Sequence, residues 1–402
     1  MSLRFVVVSM QFRYTGLSNR PVVPHIVKKD LTSALKRLNP IIAEEVDQCF
    51  REELPPGDLT TFTPVNINHT LLRVVAVVSG RIFIGPELCR TPEYVDMAMN
   101  YTMDIVNARE AVTRLPKWQR TLKASSLPAV KTLREREKKA WAMLQPIIEA
   151  RLRAVGDPDY RKPDDLLQWI LDSPADLTPQ DMAEMQLALT FAAIHTTTMT
   201  VTSVFYTLSA RPELVPELRE EIRSVLREHG TFTSAALLDM KKMDSFFSEN
   251  ARYYPLAFTS FGRKVLQDFT LSTGQVIPAG VTIEVASHPM AFDPEVVPDP
   301  ESFDMLRSYK LRQAAESRGD AAAAANQFVT ASPSNLMWGY GRHACPGRFF
   351  AANEAKMIVS RAILDYEFRN VDGHEGRYPN MDFGLQSIPD PTQQLMFKRR
   401  DV

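Results

Sequence analysis

The chain has 402 residues, 45% of them apolar and 24% charged, with a formal net charge of −1. That balance is typical of a soluble globular protein and provides no electrostatic basis for holding nucleic acid. Three scattered cysteines, Cys49, Cys89 and Cys345, exclude a disulfide framework or a zinc site and point to a reducing, cytosolic setting. No apolar run approaches the roughly 18 residues that span a bilayer.

Up to Pro255 the chain reads mostly as helix. Asp30 is placed to cap "LTSALKRL", where Leu31, Leu35 and Leu38 line one face, and Pro40 is expected to end that helix. "TLREREKKAWAMLQPIIEARLRAV" carries a similar stripe with charge on its outer side. The next start signal is stronger: Thr178 as cap, Pro179 in the first turn and Asp181 completing a capping box. From there the chain runs without Gly or Pro to Pro212, about 30 residues or about 45 Å of helix. Its middle is apolar all round, which predicts burial through the core of one large domain. Within it, the Thr196 hydroxyl is placed to bond the Ala192 carbonyl four residues back and loosen the turn. His195 beside it fits two roles, a proton relay near neutral pH or a core histidine bonded to another helix.

Pro212 opens a charged helix, "ELVPELREEIRSVLREHG", that Gly230 closes. In "ENAR", Glu249 and Arg252 are three residues apart and share a helix face. Beyond Pro255, "RKVLQDFTL", "QVIPAG" and "VTIEVAS" are β-rich segments separated by Gly and Pro, which predicts a small sheet. The alanine-rich "RQAAESRGDAAAAANQ" reads as a surface excursion. The loop "WGYGRHACPG", a last helix "RFFAANEAKMIVSRAILDY" and a β-like tail complete a mainly α chain with a minor β part.

The loop concentrates unusual chemistry around Cys345. Gly339, Gly341 and Gly347 permit turns and the close approach of a flat ligand. Backbone N–H groups at the start of the following helix are expected to depress the thiol pKa. Arg342 and His343 add donors suited to carboxylates, and Trp338 is placed to wall the sulfur off from water. A lone thiolate in such a loop is one way to hold haem iron; the plainer reading is a buried structural cysteine at a helix start.

The loop resembles the haem-binding signature of the cytochrome P450 family, Phe-Gly-x-Gly-x-Arg/His-x-Cys-x-Gly. Here it reads Trp338, Gly339, Gly341, His343, Cys345 and Gly347, with Trp for the usual Phe. "ENAR" followed by "PESFDMLRS" resembles the family's Glu-x-x-Arg and the segment that supplies a second arginine. "AAIHTT" resembles the oxygen-activating Ala/Gly-Gly-x-Asp/Glu-Thr, with His195 where an acid is usual.

The resemblance implies a single large P450-like domain over residues 1–402, with its long central helix across a haem b that Cys345 ligates. Trp338, Gly341, His343 and Gly347 would surround the haem, and Arg263 would pair with a propionate. Glu249, Arg252 and Arg307 would form a structural triad. Thr196, with His195, would manage protons. Electrons would come from NADPH through a separate flavoprotein reductase, with Arg342 and Arg348 at the docking face. The reaction implied is insertion of one oxygen atom from O2 into a lipophilic small molecule, such as a terpenoid secondary metabolite. The segments look most like fungal biosynthetic members of the endoplasmic reticulum. The anchor, hinge and first sheet of such members are not recognisable before Tyr14, so truncation and a peripheral membrane contact are the expectation. Two alternatives stand: a haem-binding remnant with little turnover, and a helical scaffold without haem.

Overall fold

The helix anticipated after Thr178 is the longest element of the computed structural model, which describes residues 22–54, 60–319 and 325–401. The stretch before Tyr14, where an anchor and hinge were sought, lies outside the described residues. The main helices are α1 (Thr32–Glu53), α2 (Ile67–Phe83), α3 (Pro92–Thr113), α4 (Pro128–Ala154), α5 (Pro179–Ala210), α6 (Val215–His229), α7 (Lys241–Tyr253), α8 (Arg307–Ser317) and α9 (Arg348–Asp365). The strands are short and lie mostly in the last third of the chain, so the architecture is mainly α with minor sheets.

Two compact units emerge, one from residues 22–31, 75–195 and 263–282, the other from 32–74, 196–262 and 283–401. In the first, α3 packs on α4, and Arg136 of α4 reaches Asp96 and Asp104 of α3. The buried Arg151 forms a bidentate pair with Asp165 at 2.6 and 2.7 Å. Strands β3 (Phe269–Thr270) and β4 (Val276–Ile277) pair antiparallel where the sequence predicted a small sheet.

In the second unit, α9 packs against α1 and α6. Strand β9 (Leu395–Arg399) lies between β1 (Thr63–Val65) and β6 (Tyr366–Asn370), with Phe368 opposite Phe397. The period-two alternation puts Tyr366, Phe368, Leu395 and Phe397 on the buried face, where Phe205 of α5 meets Phe368 edge-on at 5.2 Å. A hairpin of β7 (Asn380–Phe383) and β8 (Gln386–Pro389) follows.

The capping box at α5 is formed as expected: the Asp181 N–H donates to Thr178 Oγ1 at 3.2 Å, and the Thr178 N–H to the Asp181 carboxylate at 3.0 Å. Gly230 closes α6 at φ +75°. Three expectations change. Asp30 does not stand outside a helix start; it lies inside a π-helical turn, Val27–Leu31. Pro40 does not end its helix, which continues to Glu53. A mid-helix proline costs about 3 kcal/mol, but Ile42, Val46 and Phe50 continue the buried stripe of Leu35 and Leu38 past it, and each such side chain contributes about 1.5–3 kcal/mol. Finally, α5 is long and apolar enough to cross a membrane, because interleaved Thr and Ser dilute its apolar character only weakly; more than half of that stretch is nevertheless buried inside the fold, as in a core helix.

Candidate active site

The cysteine loop is shaped by two left-handed glycines, Gly339 at φ +72° and Gly341 at φ +65°. At Gly339 a Cβ would also sit 3.3 Å from the His343 carbonyl oxygen, so a side chain there would be both strained by φ and crowded. Gly347 differs from the expectation: its φ of −88° is ordinary, and its contribution is its N–H. Between them, Gly341–His343 form a single 3₁₀ turn that leaves Arg342 exposed and His343 half-buried.

The Cys345 sulfur is half-buried and accepts backbone N–H bonds from Gly347 and Arg348, at the start of α9. The predicted direction of its pKa is nevertheless overturned. Burial pushes the thiol up, outweighing the two N–H bonds and the Arg348 charge that pull it down. The loop thus has two backbone donors and a nearby cation for a thiolate. That donor set, on a loop with glycines turned for close approach, fits a thiolate-ligated haem.

Trp338 does more than shield. Its indole N–H donates to the Phe328 carbonyl at 2.7 Å, its ring meets Phe328 edge-on at 5.3 Å, and its own carbonyl accepts the Cys345 N–H at 2.7 Å. Arg348 donates through Nε to the Val329 carbonyl at 3.0 Å and through Nη1 to the Cys345 carbonyl at 2.9 Å. The Arg348 guanidinium is therefore tied into the loop rather than presented for docking, whereas Arg342 is exposed.

Along α5, every residue from Asp181 to Ala210 is buried or half-buried except Ala192 and Thr196. These lie one turn apart on the same face, so two small residues are exposed together at the position where the resemblance expects the threonine. One turn on, Thr200 Oγ1 donates to the Thr196 carbonyl at 2.9 Å. His195 is half-buried, and its Nε2 lies 2.9 Å from the Met99 carbonyl of α3. A carbonyl only accepts, so Nε2 carries the proton and Nδ1 alone remains for a relay. Burial lowers the His195 pKa, which the Met99 bond only partly offsets, so the neutral ring is favoured. Arg263, on strand β2 (Ser260–Lys264), is 5% exposed, which excludes a surface cation; burial lowers its pKa.

The triad forms as the resemblance implied. Glu249 receives Arg252 at 2.8 and 2.9 Å, Arg307 at 3.1 Å and the Asp304 N–H at 3.0 Å. Arg252 also donates to the Ala291, Pro300 and Ser302 carbonyls, and Arg307 to those of Asp299 and Ser302. The triad thus braces the loop that leads into α8. Sequence reasoning missed a second buried cluster. Asp244 accepts from Lys356, from Arg312 at 3.4 Å and from the Phe328 N–H at 2.9 Å. Arg312, read as part of a surface excursion, is 5% exposed because α8 packs on α7. No spacing rule could have joined residues 244, 312, 328 and 356.

A match to the cytochrome P450 family covers residues 22–396. The chain is 37% identical over 388 residues to the cytochrome P450 monooxygenase ATR3 of Stachybotrys chlorohalonatus, covering 95% of this chain and 81% of that one. It is 36% identical over 393 residues to the cytochrome P450 monooxygenase paxP of Penicillium paxilli, covering 96% and 74%. Among solved structures, the retinoic acid bound cyanobacterial CYP120A1 superposes with a TM-score of 0.72 at 18% identity, over 99% of this chain and 84% of that one.

Proposed function

The chain belongs to the cytochrome P450 family and is a haem-thiolate monooxygenase fed with electrons by a reductase, and from that premise we propose that Cys345 is its iron ligand and a lipophilic biosynthetic intermediate its substrate. The observation that carries the ligand assignment is the pair of N–H groups, from Gly347 and Arg348, directed at the sulfur of the one cysteine that is half-buried rather than fully buried. Cys49 and Cys89 are each 1% exposed and lie in no comparable loop.

The haem, when bound, supplies activation of dioxygen; the chain's own residues hold it and manage charge and protons around it. Gly347 and Arg348 N–H groups hold negative charge at the Cys345 sulfur. Arg263 and His343 bind anionic carboxylates, which the buried Arg263 guanidinium suits. Trp338 and Gly341 give the loop its shape. Thr196, exposed beside Ala192 on the same helix face, holds a proton at Oγ1. His195 assists only through Nδ1, and its firmer role is to anchor α5 to α3. Arg342, exposed in the cysteine loop, contributes to the docking face for a flavoprotein NADPH reductase.

The whole chain acts as one catalytic domain, and the substrate is a lipophilic secondary metabolite of the terpenoid kind, oxidised at the cytosolic face of the endoplasmic reticulum. Support for this lies in the fungal monooxygenases among its relatives. The test is reconstitution with haem, followed by the carbon monoxide spectrum of the reduced protein and NADPH-dependent turnover with a fungal reductase on a terpenoid panel. The native chain should show the long-wavelength band of a thiolate-ligated haem, and Cys345→Ala should lose both band and turnover. A Cys345→Ala protein that keeps the band would refute the assignment. A band without turnover of any substrate would favour the haem-binding remnant.

A further inference from the structure

Phe328 and Val329 are consecutive residues whose carbonyls face the cysteine loop from behind. The Phe328 carbonyl accepts the Trp338 indole N–H at 2.7 Å, and the Val329 carbonyl accepts Arg348 Nε at 3.0 Å. Trp338 precedes Cys345 and Arg348 follows it, so the two bonds pin the loop on both sides of the sulfur. The Phe328 N–H in turn donates to Asp244 at 2.9 Å, and the ring, 1% exposed, packs between Phe247 and Trp338 at 5.2 and 5.3 Å. Asp244 is held by Lys356 of α9 and Arg312 of α8, both 5% exposed. An unbroken series of bonds therefore runs from a buried ion cluster through Phe328 to Trp338, and from the Trp338 carbonyl to the Cys345 N–H.

We infer that Trp338 and Asp244 are positioning residues for the thiolate: the Asp244 cluster fixes the Phe328–Val329 segment, and Trp338 transmits that fixed position to Cys345. A phenylalanine at 338 would keep the edge-on ring contact but could not make the bond to Phe328, so the tryptophan is a specific device rather than one aromatic standing for another. The physical consequence is a sulfur confined against rotation. The two N–H donors at Gly347 and Arg348 stay aligned with it only while the loop before it is fixed as well. This rests on Cys345 being the iron ligand.

The experiment compares the reconstituted native chain with Trp338→Phe, Asp244→Asn and the double variant. Each is reduced under carbon monoxide in mild urea, and the thiolate-type band is followed as it converts to the shorter-wavelength band of a thiol-ligated haem. Far-ultraviolet circular dichroism is recorded in parallel. Trp338→Phe should convert roughly five-fold faster, the factor expected for one lost hydrogen bond, while the helix signal is unchanged. Asp244→Asn should convert at least as fast, and the double variant no faster than the faster single, because the two act in series. If Asp244→Asn does not fold, Lys356→Met takes its place in the same comparison. Conversion of Trp338→Phe at the native rate would overturn the proposal, as would single effects that multiply in the double variant, or loss of helix in step with the band. A native chain with no thiolate-type band overturns the ligand assignment and the positioning role with it; a native band with an indifferent Trp338→Phe overturns the positioning role alone.

Discussion

Glu249 and Asp244 lie on one helix, α7, 2% and 5% exposed, and each gathers two cations and a backbone N–H. Glu249 takes one of its partners, Arg252, from the same helix face three residues on, and that half of its cluster is visible in the sequence as a spacing. Asp244 draws all its partners from remote segments, and nothing local announces it. The geometry also differs. Glu249 is bonded bidentately and closely, while Arg312 stands 3.4 Å from Asp244 and its Nε has no bonding partner. A buried carboxylate that nothing in the sequence announces can thus gather as many partners as one inside a motif, though less closely.

Substitutions test that contrast. Glu249→Gln should have the largest effect, about 3–5 kcal/mol of unfolding free energy, since it removes the charge of a buried carboxylate shared by two half-buried guanidinium groups; denaturant unfolding measures it, and a loss below about 1 kcal/mol would show the triad to be dispensable. Asp244→Asn should cost about 3 kcal/mol, at the lower end of the same range, because the longer Arg312 contact forfeits less. If it cost more than Glu249→Gln, the ranking by geometry would be wrong. Lys356→Met should cost least of the three, about 2 kcal/mol, because Asp244 keeps Arg312 and the Phe328 N–H.

A half-buried carboxylate without such partners behaves differently. Burial pushes Glu137 of α4 from 4.5 to about 7, with Glu184 adding repulsion and the Tyr101 hydroxyl, at 3.5 Å, only partly opposing it. Between those two values the unfolded chain loses its proton first, so the Glu137 contribution is full below 4.5 and is lost as pH rises toward 7. Glu137→Gln should therefore flatten the fall of melting temperature with pH across that window. A slope equal to the native one would remove Glu137 as its source.

Much of this was legible in the chain itself. Residues within a turn of each other set the capping box at Thr178 and Asp181, the αL closure at Gly230, the Glu249–Arg252 pair and the glycine-framed Cys345 loop, and the energies involved are those of neighbouring backbone and side chains. Tertiary structure alone decided that Pro40 stays helical, that Arg312 is buried, that His195 Nε2 is taken by Met99, that the Cys345 thiol is pushed up rather than down, and that Trp338 bonds Phe328. The physical reason is common to all five. Desolvation and long-range bonds depend on which distant segments arrive beside a group, and those terms exceed the local preferences that a sequence spells out.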